Sequence, residues 1–385
     1  MRLGTAFALV AVWGAPRVGF ADTWVVPDHY VTIQGAIDAS ADGDTILVRP
    51  GTYVENLLIV GKSLSLKSLG GPEVTIIDGR FPPRPDTLSV VCGLGAEQLL
   101  LAGFTLRNGL SGSSFPDLTG KVGGGLLLIG GGGLVQGCVI QDNYSEHDGG
   151  GVYLFASVVT FVDCVVRNNQ CGRNGGGLHL FHASPRLERC TIEDNSGHDG
   201  GALFSSVGSP EFVECTIRRN RSVTGWVLRA IGRYERTIVS ENGFFAPHGR
   251  DQVGILESDS GIERCTIARN GSYWWTVDVG GVLSHSIVAF NEGRGVFCRD
   301  GAIECSDVFG NQGGDEFCGS DSGGNFQRDP LLCSDYTIAA QSPCAPANAP
   351  TGCGLIGALG VGCTEPIEPV TWGEIKARWR RGPGR

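Results

Sequence analysis

Cys138-Val-Ile-Gln-Asp-Asn143 is followed by Cys164-Val-Val-Arg-Asn-Asn169, Cys190-Thr-Ile-Glu-Asp-Asn195 and Cys215-Thr-Ile-Arg-Arg-Asn220. The series continues as Thr237-Ile-Val-Ser-Glu-Asn242, Cys265-Thr-Ile-Ala-Arg-Asn270 and Ser286-Ile-Val-Ala-Phe-Asn291, and a degenerate copy ends at Asn311. An earlier copy, Phe104-Thr-Leu-Arg-Asn-Gly109, has glycine where the others have asparagine. Successive asparagines lie 26, 26, 25, 22, 28, 21 and 20 residues apart. A second motif keeps step with the first: Gly123-Gly-Gly-Leu126, Gly149-Gly-Gly-Val152, Gly175-Gly-Gly-Leu178 and Gly200-Gly-Ala-Leu203.

Two motifs in phase identify a repeat architecture. Within each copy cysteine and isoleucine alternate with threonine and arginine, the two-residue period of a strand. A strand plus turns every 20 to 28 residues suits one coil of a parallel β-helix. Asparagine tolerates the left-handed conformation that ends such a strand, and stacked asparagines can hydrogen-bond as a ladder. The glycine triplets suit a second tight corner, where a Cβ would clash. No segment between copies has helical periodicity of useful length.

Composition agrees. The chain of 385 residues holds 61 glycines and 18 prolines, too many for ordinary helices. Glycine does not recur every third residue, which excludes collagen. With 41% hydrophobic and 18% charged residues the chain is not disordered. A net charge of −10 argues against nucleic acid as a partner. The N-terminus, with Arg2, a short apolar stretch and Gly19-Phe20-Ala21, reads as a secretory signal peptide over residues 1–21. Val122 to Ile140 is uncharged, but eight of its residues are glycine and it falls in phase with the repeat. It reads as two strands and a turn, so no transmembrane segment is expected after signal cleavage, and the mature chain is expected to be a soluble, secreted or surface-exposed monomer.

Residues 24 to 79 supply the opening coils. Thr32 to Ser40 reads as a short amphipathic helix capping the open end, and Gly43 to Tyr53 as strand, turn, strand. Ile33-Gln34, Asp42-Gly43-Asp44, Pro50-Gly51-Thr52-Tyr53-Val54-Glu55-Asn56, Gly61-Lys62 and Ile77-Asp78-Gly79 resemble the N-terminal module of secreted right-handed parallel β-helix repeat proteins. That superfamily is similar to pectate lyases and also holds glycosidases, epimerases and proteins of no known activity. The resemblance covers about residues 24 to 363. It implies an all-β, right-handed parallel β-helix of roughly ten coils with a short N-terminal capping helix. The expected organisation is a signal peptide (1–21), one β-helix domain (22–363) and a tail (364–385). Within the domain, 22–80 form the cap and first coils, and 320–363 a disulfide-rich end. In the tail, Trp372, Ile375 and Trp379 fall on one helical face among basic residues. A docked end cap and a surface-attachment element both fit it.

All 14 cysteines lie in the mature part, and export permits disulfides. Cys138, Cys164, Cys190, Cys215 and Cys265 share one inward column, read as buried packing, with pairing between coils geometrically open. Cys298, Cys305, Cys318, Cys333, Cys344, Cys353 and Cys363 crowd the C-terminal third, where disulfides of undetermined connectivity are expected.

Chemistry on such a solenoid belongs outside, because the interior is filled. Outward Arg167, Glu193 and Arg218 read as cross-strand charge pairs. The turns between asparagine and glycine triplet stack along one edge. They would carry His147, Asp148, Arg173, His198, Asp199, Arg221, His248, Arg250, Asp251, Tyr273, Trp274 and Trp275, with Trp226 where its neighbours have glycine. Aromatic rings, arginines and aspartates suit an extended acidic polysaccharide or cell-surface glycan. Cleavage by β-elimination would need a base, for which His198 and Arg250 are candidates, beside Asp199 and Asp251. Ca²⁺ on Asp148, Asp199 or Asp251 would serve that chemistry, although no spacing marks a dedicated metal site. The alternative is a non-catalytic, adhesin-like rod. His-Asp before Gly-Gly also has a plain reading as turn chemistry.

Overall fold

The computed structural model describes residues 21–80, 89–110, 122–244, 254–363 and 366. The coil from Val152 to Cys171 shows how the repeat folds. It contains the strands Val152–Phe155, Val158–Val162, Val165–Arg167 and Gln170–Cys171. Val152, Leu154, Val159, Phe161, Cys164 and Val166 point inward and are buried. The chain turns corners at Ala156, Asp163 and Asn168, all with positive φ near 50°, and at Gly175 with φ 74°. A left-handed residue bearing a Cβ costs roughly 1–2 kcal/mol. Amides at these corners bond the next coil, as Asp163 N does to Glu188 O at 3.0 Å, which offsets that cost.

Neighbouring coils pair in parallel register. One sheet runs through eleven strands, and Val139, Val165, Thr191, Thr216, Ile238, Thr266, Ile287 and Asp307 lie opposite one another along it. The expected asparagine ladder is present from Asn143 to Asn311. Each Nδ2 donates to Oδ1 of the next asparagine at 2.8 to 3.1 Å. Gly109, the glycine variant of the motif, donates its amide to Asn143 Oδ1 at the start, and Asp315 accepts from Asn311 at the end.

The left-handed residue, however, is not the ladder asparagine. It is the residue before it: Asp142, Asn168, Asp194, Arg219, Glu241, Arg269 and Phe290, with φ between 53° and 59°. The ladder asparagines are buried, and their side chains are fixed by the ladder itself.

The glycine corner behaves as expected. A Cβ on Gly150 would sit 2.5 Å from the carbonyl oxygens of Gln170 and Gly176. Val122 to Ile140 holds the strand Leu126–Gln136, a corner at Gly137 and the start of Val139–Gln141. No described helix is long and apolar enough to cross a membrane.

The column of Cys138, Cys164, Cys190, Cys215 and Cys265 is inward, buried and unpaired, so the option of disulfides between coils is not taken. Each thiol donates to the carbonyl two residues before it, as Cys190 does to Glu188 O at 3.3 Å. Thr237, Ser286 and Ser306 occupy the same position and make the same bond. The position therefore selects a short side chain with a γ donor, which tethers the corner carbonyl.

Both ends are closed. The helix Ile33–Ala39 is N-capped by Thr32, whose Oγ1 accepts from Gly35 N at 3.0 Å. Glu55 accepts from the Ile33 and Gln34 amides, and Lys62 Nζ donates to the Ile37 and Ser40 carbonyls. An anion thus sits at the helix N-terminus and a cation at its C-terminus. At the far end Cys298 pairs with Cys318, Cys305 with Cys353 and Cys333 with Cys363. Cys344 stays unpaired. Residues 1–20 of the expected signal peptide and the amphipathic part of the tail lie outside the described residues.

Candidate functional site

The turns after the ladder form their own parallel sheet, from Tyr144–Ser145, Gln170–Cys171, Ser196–Gly197, Arg221–Ser222 and Gly243–Phe244. This is the edge on which the sequence places His147, Asp148, Arg173, His198, Asp199 and Arg221. Its aspartates are tied into the coil stack. Asp148 Oδ1 accepts from Asn174 N, and Asp199 Oδ1 from Trp226 N, each at 3.0 Å. His198 Nδ1 lies 3.1 Å from Thr224 Oγ1. Arg221 is half-buried, and burial lowers its pKa. His147-Asp148 and His198-Asp199 sit two coils apart, about 10 Å at the strand spacing, so they do not converge. Trp226 occupies the second-glycine column, and a Cβ on Gly254 would lie 2.1 Å from its ring. His248, Arg250 and Asp251 lie outside the described residues. The charge pairs on the neighbouring face form in part: Arg218 bonds Glu193 at 2.8 Å, whereas Arg167 bonds Gln141.

The aspartates also reach a surface that sequence reasoning missed, the outer face of the strands following the glycine corner. Tyr153, His179, Phe204 and Arg229 lie in register there on successive coils. Further along the same sheet Glu257, Asp278 and Phe297 follow in register. Asp148 Oδ1 approaches His179 Nδ1 to 3.6 Å, and Asp199 forms an ion pair with Arg229. The Arg229 guanidinium lies 5.2 Å from the centre of the Phe204 ring. Burial would raise the Asp148 carboxyl, but His179, the Asn174 amide and Arg173 outweigh it and hold its pKa below the ordinary value. The signal for this row was available: each member sits at the same offset from its glycine corner.

Towards the C-terminal coils the face becomes both charged and aromatic. Arg299 bonds Asp278 at 3.0 Å and Asp259 at 2.6 Å, and pairs with Glu257 at 3.1 Å. Burial raises the Glu257 and Asp278 carboxyls above their ordinary range despite this guanidinium. Trp275 stacks on Phe297 with centroids 4.3 Å apart, and Trp274 lies 5.7 Å from Trp275. Tyr273 packs against Phe244 at 5.8 Å. Tyr273 and Trp274 remain 43% and 44% exposed. Of the three aromatic residues singled out from the sequence, Trp275 reaches the sheet face, where its partner Phe297 lies opposite Asp278, whereas Tyr273 packs on Phe244 of the turn edge. Among the described residues no three His, Cys, Asp or Glu side chains are grouped to hold a metal ion. Of the aspartates considered for Ca²⁺, Asp148 and Asp199 instead accept from amides of the neighbouring coil, Asp199 also pairs with Arg229, and Asp251 lies outside the described residues.

A family model described as a right-handed beta helix region matches residues 111–260. That match spans less than half of the chain, and the parallel pairing of its successive coils gives the fold of a right-handed parallel β-helix. Over 122 residues this β-helix protein is 30% identical to a cell surface glycoprotein of Methanothermus fervidus. The aligned part is 31% of this chain and 18% of that relative's length. No solved structure matches.

Proposed function

We propose that this β-helix protein acts outside the cell, at the cell surface, and binds a glycan along the outer sheet face at its C-terminal coils. The observation that carries the reading is the aromatic group of exposed Trp274 and the stacked pair Trp275–Phe297, with Phe297 in register beside Asp278 and, on the same sheet face, Glu257 and Arg299. Exposed flat rings next to hydrogen-bonding groups suit sugar faces and hydroxyls. Three carboxylates around one guanidinium favour a hydroxyl-rich chain over a polyuronate. Three disulfides and the name of the similar surface glycoprotein support the location.

Cleavage by β-elimination gains little support, because His198 and Asp199 are engaged with Thr224, Trp226 and Arg229. The test is affinity electrophoresis and calorimetry of the mature protein against neutral and uronate polysaccharides, with Trp274→Ala and Trp275→Ala alongside. Binding should weaken roughly tenfold or more in each variant, about 1.4 kcal/mol. No binding to any polymer would leave the adhesin-like rod. Absorbance of unsaturated product from a uronate polymer, with or without Ca²⁺, would restore the lyase reading.

A further inference from the structure

Ser206 interrupts the register of the outer sheet. Leu180 pairs with Ser205, but Phe181 pairs with Val207, so Ser206 is the extra residue of a bulge. Bulges re-aim a side chain, and are frequent beside active sites. Here the bulge brings the Ser206 hydroxyl to 3.4 Å from His179 Nε2, while the serine itself stays exposed. His179 is 3% exposed, with its ring between Tyr153 at 4.9 Å and Phe204 at 5.2 Å. Its other nitrogen, Nδ1, is buried with no hydrogen-bond partner and faces Asp148 Oδ1 at 3.6 Å. Asp148 is held in place by the Asn174 amide.

A carboxylate facing Nδ1 favours the tautomer protonated there, which leaves the Nε2 lone pair directed at the serine. Nucleophile, base and orienting carboxylate thus come from three successive coils, each fixed by the stack. The two separations exceed those of formed hydrogen bonds, as is common before substrate tightens a site.

We propose that Asp148, His179 and Ser206 form a relay that makes Ser206 a nucleophile towards short acyl esters. Ser206 Oγ bonds to the ester carbonyl carbon while its proton passes to His179 Nε2. The carbon–oxygen bond to the alcohol then breaks, and His179 returns the proton to the departing oxygen. Water, deprotonated by His179, attacks the acyl-serine and releases the carboxylic acid, regenerating the serine. Asp148 remains a carboxylate throughout. This activity does not depend on glycan binding, because the acyl group alone supplies the reacting carbon.

The test treats the full chain with a fluorophosphonate probe and with p-nitrophenyl acetate, and locates the adduct by peptide mass spectrometry. The probe should attach to Ser206, and Ser206→Ala should lose both labelling and esterase turnover. Ser206 is exposed, so that variant should keep the parent's circular dichroism and melting temperature. Asp148→Asn should slow labelling at least tenfold while Ser206 remains present. Labelling elsewhere only, no labelling, or turnover unchanged in Ser206→Ala would overturn the proposal.

Discussion

Asn195 donates to Asn220 Oδ1 twice, from its side-chain Nδ2 and from its backbone amide, each at 3.0 Å. Its Nδ2 also donates to Val166 O of the preceding coil at 2.9 Å, and its own Oδ1 accepts both donors of Asn169. Every polar atom of the carboxamide is matched in the interior, so the ladder specifies the register of successive coils as well as stabilising it.

Asn195→Ala should therefore cost more than a surface substitution. It leaves the backbone amide of Asn169 and one of its Nδ2 hydrogens without partners, at about 1–3 kcal/mol for each buried group. Asn195→Asp keeps the acceptor but turns an oxygen towards Asn220 Oδ1 and Val166 O. That variant should be strongly destabilised at neutral pH and recover in acid, where a protonated carboxyl donates again. Urea unfolding at pH 7 and pH 4 reads both effects, and an Asn195→Asp variant equal to the parent at pH 7 would contradict the ladder geometry.

The thiols give a count. Three disulfides take six of the 14 cysteines, and the other eight are free and buried. Unfolding without reductant should expose eight reactive thiols, and the native protein should show none on the timescale of labelling. Burial pushes Cys138 and Cys265 up to about 12, which reinforces that protection. Cys190→Ser should be tolerated far better than Cys190→Val, because Ser286 and Ser306 already make the same γ bond to the corner carbonyl. Denaturation midpoints of the two variants decide it.

The fold was legible because its devices repeat. A buried ladder needs asparagine at one position, a corner without room for a Cβ needs glycine, and both recur in phase. The precise place of the left-handed residue was not legible, because Asp, Asn, Arg, Glu and Phe all occupy it and the backbone pairing of the stack outweighs their local preference. The site was less visible for a related reason. Asp148 and Trp275 stood out by residue type, whereas His179 and Ser206 meet only through register and a bulge. A bulge is a property of two coils together and leaves no mark in either one.

Trp226 and Gly254 should behave as a coupled pair. An alanine at 254 would bring its Cβ to 2.1 Å from the Trp226 ring. Gly254→Ala alone should destabilise the protein by roughly 1–3 kcal/mol, the usual cost of overpacking. In a Trp226→Ala background the same change should cost much less, which makes the double-mutant cycle non-additive. Additive costs would place the ring elsewhere.

The pH dependence of stability should carry the signature of Asp307. This carboxyl is fully buried at the disulfide-bonded end, where it accepts from Arg328 N at 3.1 Å and from Cys344 Sγ at 3.3 Å. Burial dominates these bonds and pushes its pKa up to about 7. In the unfolded chain an aspartate titrates near 3.9. Between about pH 4 and pH 7 the unfolded state has therefore lost this proton while the folded state keeps it. The folded state binds more protons in that window, so stability falls as pH rises, by up to about 1.4 kcal/mol per pH unit, and this contribution is level on either side. Asp307→Asn keeps an acceptor for the Arg328 amide and cannot ionise. The variant should match the parent near pH 4 and exceed it at pH 8, with the gap opening between those values. Urea midpoints of the two proteins at constant ionic strength, with disulfides intact, supply the comparison, and parallel curves across pH 4 to 8 would mean that the Asp307 carboxyl titrates as it does in water.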